Sequence, residues 1–161
     1  MTRKIIYCGQ FRDITGYGIA ARSYLSAIDE FLSDNKDEIL FKIYPIDILT
    51  NENLDNKTNN LIDKYSFNNQ NELFDFLNDG EYECIWHCTS ISPMFIDDRY
   101  KRKDNLKPCL KDIILGSANN YHLVVWETTK ISKEWEEAIK YFGPKKIFTA
   151  CEFNRKTFEY L

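Results

Sequence analysis

Long apolar runs are missing from this 161-residue chain. A helix needs about twenty consecutive apolar residues to cross a bilayer, and no stretch approaches that, so a membrane-spanning helical protein is excluded. An export signal is missing too. Behind Arg3 and Lys4 the apolar stretch runs only from Ile5 to Cys8 before Gly9-Gln10, too short for a secretory leader. A cytoplasmic, reducing location is therefore expected, with Cys8, Cys84, Cys88, Cys109 and Cys151 as thiols. No metal-ligand pattern is present. Cys84 and Cys88 read C-x3-C, and no second Cys or His pair completes a four-ligand zinc site, so neither metal nor other cofactor is expected. Internal repeats and domain linkers are also lacking.

Excess positive charge is absent. Lys and Arg number 21 against 25 Asp and Glu, a net charge of −4, which repels nucleic acid and anionic lipid at long range. No nucleic-acid partner is expected. The one basic cluster, Arg99-Tyr100-Lys101-Arg102-Lys103, ends at Asp104. It reads as a solvated loop or as a patch for phosphate or anionic lipid, which makes peripheral membrane contact a candidate.

What the chain does contain is an ordinary globular balance: 43% hydrophobic, 15% aromatic and 29% charged residues, too apolar for a disordered chain. At this length a globule buries roughly 70% of its unfolded surface, enough for one sizeable core. Five runs rich in β-branched and aromatic residues predict strands at Lys4 to Cys8, Ile39 to Ile46, Tyr82 to Cys88, His122 to Trp126 and Lys146 to Thr149. They are mostly continuous rather than alternating, as in strands covered on both faces.

Between them lie helical patterns. Ile19, Ala20, Tyr24, Ala27, Ile28 and Phe31 predict an inward face on a helix from about Gly18 to Leu32. Shorter helices are predicted at Asn71 to Leu77, at Ser132 to Tyr141 with Trp135, Ala138 and Ile139 inward, and at Glu152 to Tyr160. Leu49 to Asn69 reads as a polar excursion with a short helix near Asn60 to Tyr65, and Thr89 to Leu106 as irregular. Alternating strands and helices predict an α/β fold: a single Rossmann-like domain over residues 1–161, with a mainly parallel sheet of five or more strands flanked by helices.

In such sheets ligands gather beyond the carboxyl ends of the strands. Those ends lead to Gly9-Gln10-Phe11-Arg12 and Gly16-Tyr17-Gly18, to Asp47, to His87-Cys88-Thr89-Ser90, to Glu127-Thr128-Thr129, and to Cys151-Glu152-Phe153-Asn154. Gly16-Tyr17-Gly18-Ile19-Ala20-Ala21 matches G-x-G-x-x-G/A, whose glycines let a helix N-terminus approach a phosphate. In the dinucleotide motif, however, the first glycine follows the strand almost directly, whereas six residues separate Gly9 from Gly16 here. His87, after Ile85-Trp86, is either a hydrogen-bonded core residue or a group facing the ligand edge. His122 begins its predicted strand at the opposite edge and reads as structural. Glu127 could orient a hydroxyl-bearing substrate or accept bonds from neighbouring amides and Thr128. Cys151 stands at an expected helix cap, but no base accompanies it.

Three segments together resemble the N-terminal, acceptor-side domain of retaining, GT4-like glycosyltransferases with the two-Rossmann GT-B fold. They are Gly16 to Leu25; Val125-Trp126-Glu127-Thr128-Thr129-Lys130-Ile131-Ser132 followed by Trp135; and Ile147-Phe148-Thr149-Ala150-Cys151-Glu152-Phe153-Asn154. The resemblance covers nearly the whole chain from Ile5 to Leu161. It implies a wall of an interdomain cleft, with a nucleotide-diphosphate sugar as donor, a hydroxyl-bearing acceptor, and a C-terminal GT-B domain as partner. It assigns catalytic positions to His87 and Glu127 and binding positions to Arg12, Gly16, Tyr17, Gly18, Thr128, Glu152 and Asn154.

Cys151 departs from the serine usual in that family, weakening a helix cap. The donor-binding half with its paired glutamates has no room in 161 residues, and the E-x7-E spacing of Glu30 and Glu38 reads as chance. The resemblance thus implies half of an enzyme, inactive alone. Two other readings stand beside it. One is a dinucleotide-dependent oxidoreductase domain, with Gly16, Gly18 and Ala21 at a pyrophosphate and Asp47 on a ribose. The other is a non-enzymatic interaction module using aromatic surface.

Overall fold

A computed structural model describes residues 2–35, 38–46, 53–88, 110–124 and 130–159. The described elements are β1 (Arg3–Gly9), α1 (Gly16–Asp34), β2 (Ile39–Pro45), α2 (Asn56–Tyr65), α3 (Gln70–Asn78), β3 (Glu83–Cys88), α4 (Leu110–Leu115), β4 (Asn119–Val124), α5 (Lys133–Phe142), β5 (Lys146–Thr149) and α6 (Glu152–Phe158). The architecture is α/β: the strands form one five-stranded parallel sheet in the order β2-β1-β3-β4-β5, flanked by helices. The chain forms two compact units, Met1–Glu83 and Cys84–Leu161.

In the first unit β1 pairs with β2 in parallel from Arg3 opposite Ile39 to Gly9 opposite Pro45. The run Ile6-Tyr7-Cys8 is buried without alternation, as the apolar sequence predicts for a strand covered on both faces. Edge-to-face ring pairs join Tyr7 to Phe11, at 5.0 Å between centroids, and Phe41 to Tyr65, at 5.3 Å. Helix α2 carries few apolar residues, yet its Ile62 and Tyr65 are both buried. It starts at Asn56 because the Asp55 carboxylate accepts the Thr58 amide, so the predicted Asn60 to Tyr65 helix is extended by a turn at its start. After it, Ser66 bridges in parallel to Ile43 of β2. In α3 the Asn69 side chain caps the Glu72 amide at 3.0 Å, while Leu73 and Phe76 face inward.

Helix α1 differs from its prediction. It begins at Gly16 rather than Gly18, and its buried residues are Gly18, Ala21, Leu25 and Leu32. Ile19 and Phe31, predicted inward, are 58% and 57% exposed, and Tyr24 is exposed as well. Two apolar stripes run along this helix, and a close backbone approach selects between them. A Cβ on Gly18 would overlap the Asp13 carbonyl, 2.7 Å from its carbon, so position 18 must face the β1–α1 loop. Ala21, Leu25 and Leu32 follow on that side at helical spacing.

In the second unit β4 pairs with β5 in parallel from Tyr121 opposite Lys146 to Val124 opposite Thr149. Strand β4 begins at Asn119, three residues before its prediction, so His122 lies inside the strand and not at its start. Asparagine disfavours strands, but here tertiary bonds compensate. The buried Asn120 donates its Nδ2 to the Phe142 carbonyl at 3.0 Å, and its own carbonyl accepts from the Lys145 amide at 2.8 Å. Val124, Ile139 and Phe158 form a core cluster with Ile131 and Ile147 packed against it. Gly143 ends α5 in the left-handed region, at φ 54°, donating its amide to Ile139. Helix α4, with Ile113 and Ile114 buried, had no sequence prediction. The predicted irregular stretch from Thr89 to Leu106 lies outside the described residues, as do Asp47 and the basic cluster at 99–103.

Candidate functional site

The candidate residues fall into two groups, one in each unit. In the first, the loop from Gln10 to Thr15 carries the chain from β1 into α1. It is built by side chains that sequence reasoning passed over. Asp13 is fully buried and accepts the Thr15 amide on Oδ1 at 2.9 Å, a local turn that holds the helix entrance. Arg22, one turn into the helix, reaches back with Nη1 to the carbonyls of Phe11 at 3.0 Å and Asp13 at 2.8 Å. The available signal was an arginine six residues after the glycine that opens a helix, together with Asp-x-Thr before it.

Helix α1 itself brings no counter-charge to its entrance, and the buried Asp13 carboxylate lies just before it on the Thr15 amide. Thr15, its N-cap, makes no side-chain cap bond, and the first turn contains no acidic residue. By contrast α2 and α3 are capped by Asp55 and Asn69, and α5 and α6 hold glutamates in their first turns. Among the described residues the Thr15 hydroxyl and the buried Gln10 Oε1 have no partner, and Gln10 is only 5% exposed. No atom of the described residues lies within 4 Å of where a Cβ on Gly16 would stand. First-turn amides and the positive end of a 19-residue helix therefore meet no opposing charge from the helix itself. Tyr17 is half-buried beside them. Arg12 is engaged elsewhere: its guanidinium bonds Asn59 and Asp63 of α2, each at 2.6 Å.

In the second unit His87 is the next-to-last residue of β3 and only 3% exposed. Burial pushes its imidazole down to about 4, so at neutral pH the ring is uncharged and serves as a hydrogen-bonding group, not as a cation. Asn154 is buried in α6, whereas Glu152, exposed in the first turn, pairs with Arg155 through two bonds of 2.7 Å. That pairing holds the Glu152 carboxyl below its usual range. Cys151 takes the N-cap position of α6 without a side-chain cap bond. Glu127 and Thr128 lie outside the described residues.

The fold and the loop define an α/β chain with a glycine-opened helix entrance. No described helix is long and apolar enough to cross a membrane. Comparison with family models, with curated proteins and with solved structures gave no significant match.

Proposed function

We propose that the chain is the acceptor-side half of a nucleotide-sugar-dependent glycosyltransferase of the retaining GT-B type, its donor-binding domain lying outside these residues. The observation that carries this reading is the glycine-opened entrance of α1, where Thr15 makes no side-chain cap bond and the first turn holds no acidic residue, the Asp13 carboxylate before it being bonded to the Thr15 amide. An anionic diphosphate suits such an entrance. Transfer breaks the bond between the sugar's anomeric carbon and the diphosphate and forms one to an acceptor hydroxyl. Positive charge builds on the sugar as the diphosphate leaves, so positioning and electrostatic stabilisation carry the rate.

In this scheme Gly16 and Gly18 offer backbone donors to the leaving group, with Tyr17 beside them. His87, uncharged, hydrogen-bonds the sugar or the acceptor, and Glu127 with Thr128 orients the acceptor hydroxyl. The same resemblance assigns substrate binding to Asn154 and Glu152 of α6. Arg12 supports the reading least, since Asn59 and Asp63 already occupy its guanidinium. The dinucleotide reading is disfavoured because Gly16 opens the helix itself, with six residues between it and the end of β1.

The test is titration with UDP-glucose and GDP-mannose, following the Gly16, Tyr17 and Gly18 amides by NMR. Selective shifts there are expected, with no sugar transfer by the chain alone. Unmoved amides, or turnover without a second domain, would refute the reading. Saturable NADH binding in the micromolar range would favour the oxidoreductase instead. The interaction-module reading draws on the exposed apolar stripe Ile19, Tyr24 and Phe31 of α1, and light scattering that shows self-association would speak for it.

A further inference from the structure

A second candidate site lies wholly within the second unit. Beside β5, which ends the sheet, a cavity of about 440 Å³ opens between α5 and α6. That volume lies within the range of small-molecule pockets. Ile139, Pro144, Ile147 and Phe158 supply apolar wall. Around them stand four cationic side chains, Lys140, Lys145, Lys146 and Arg155, against the single carboxylate of Glu159. In a chain of net charge −4 this is a local reversal of sign.

The four cations are not equivalent. Lys140 is held by Glu136 one turn earlier on α5. Arg155 is held by Glu152 and Glu159. Lys145 and Lys146 have no acidic partner among the described residues, and both are exposed at the start of β5. The end of α5 also faces this region, and a helix C-terminus ordinarily repels an anion. Here the Phe142 carbonyl is occupied by Asn120 Nδ2 and the Ile139 carbonyl by the Gly143 amide, which removes two of the offending acceptors.

We propose that this cavity binds a small organic anion, a carboxylate or phosphate carried on an apolar body. The head group meets the ammonium groups of Lys145 and Lys146, and the body covers Ile147 and its apolar neighbours. Neutral hydrocarbon alone would leave two lysines unmatched, while inorganic phosphate alone would leave the apolar wall uncovered. This inference does not rest on the glycosyltransferase reading, since none of its residues belongs to that site.

The experiment titrates the full chain with octanoate, octyl phosphate and octanol, following the Ile139 and Ile147 methyl signals by NMR. Octanoate and octyl phosphate are expected to shift both signals saturably and more weakly as salt rises, and octanol to bind at least about tenfold more weakly. The combined Lys145→Gln, Lys146→Gln variant should lose affinity by about tenfold, whereas Lys140→Gln should change it by less than about twofold. Unchanged spectra elsewhere report an intact fold. Equal binding of octanoate and octanol, or unchanged affinity in the double variant, would overturn the proposal. So would shifts produced only by phosphatidylglycerol vesicles, which would assign the lysines to a membrane surface.

Discussion

The backbone carbonyl of Asp13 stands against the α-carbon of Gly18 so closely that a methyl group at position 18 would overlap it. This contact fixes both the rotation of α1 and the shape of the loop before it. Gly18→Ala is therefore expected to destabilise the chain by about 2–3 kcal/mol through overpacking against backbone that has little room to yield. Gly16→Ala meets no atom within 4 Å and should change stability by less than about 0.5 kcal/mol. Urea denaturation of the two variants checks the contrast, and equal losses would show that the contact is not decisive.

Arg22 fastens the same loop by two bonds from one nitrogen, to the carbonyls of Phe11 and Asp13. Arg22→Met keeps the hydrocarbon stem and removes both donors. A loss of about 1–3 kcal/mol is expected, as for charge-assisted bonds to partly buried carbonyls. Faster amide hydrogen exchange confined to residues 10–18 should accompany it. A variant as stable as the parent, with unchanged exchange, would remove Arg22 from the account of the loop.

The rotation of α1 makes a further contrast. Leu25 is fully buried, and Leu25→Ala should cost about 2–5 kcal/mol. Ile19→Ser and Phe31→Ser, on the opposite stripe, should each fall within about 0.5 kcal/mol of the parent by thermal or chemical denaturation. The reverse ranking would restore the inward face predicted from periodicity.

That helix marks where sequence reasoning runs out. Ile5 to Cys8 declares β1 because an unbroken apolar run of that length suits a strand covered on both faces. Ala138 and Ile139 declare the inward side of α5 by their spacing, and both are buried. For α1 two apolar stripes compete, and a backbone contact from another part of the chain decides between them; periodicity carries no information about it. Asn119 and Asn120 open β4 against their propensity because the Phe142 carbonyl and Lys145 amide lie within reach, which is again a tertiary fact. Helix α2 was legible from Asn60 to Tyr65 but not in its first turn, whose polar residues are started by an Asp55 cap. Of the candidate site, the glycine-opened helix was legible in its residues. The engagement of Arg12 with α2 and of Glu152 with Arg155 was not, because long-range partners leave no local pattern. The lysine-rimmed cavity beside β5 joins residues from two helices and a strand, and no motif announces it.

His122 supplies the most direct pH test. It is fully buried in β4, and neither ring nitrogen has a hydrogen-bond partner among the described residues. Burial pushes the imidazole from its ordinary 6.5 down to about 3, and His87 is pushed down to about 4 by the same cause. Below pH 6.5 the unfolded chain takes up protons that the folded chain refuses, so stability falls with pH; above 6.5 neither state binds them and the effect vanishes. Each histidine adds a slope approaching about 1.4 kcal/mol per pH unit in that window. His122→Leu removes one of the two contributions and also the unpaired nitrogens. It should raise stability at pH 7.5 by about 1 kcal/mol and halve the histidine-derived slope between pH 6 and pH 4.5. Urea midpoints measured across that range decide the point: an unchanged slope would mean that His122 is hydrated or bonded in solution and not sealed within the second unit.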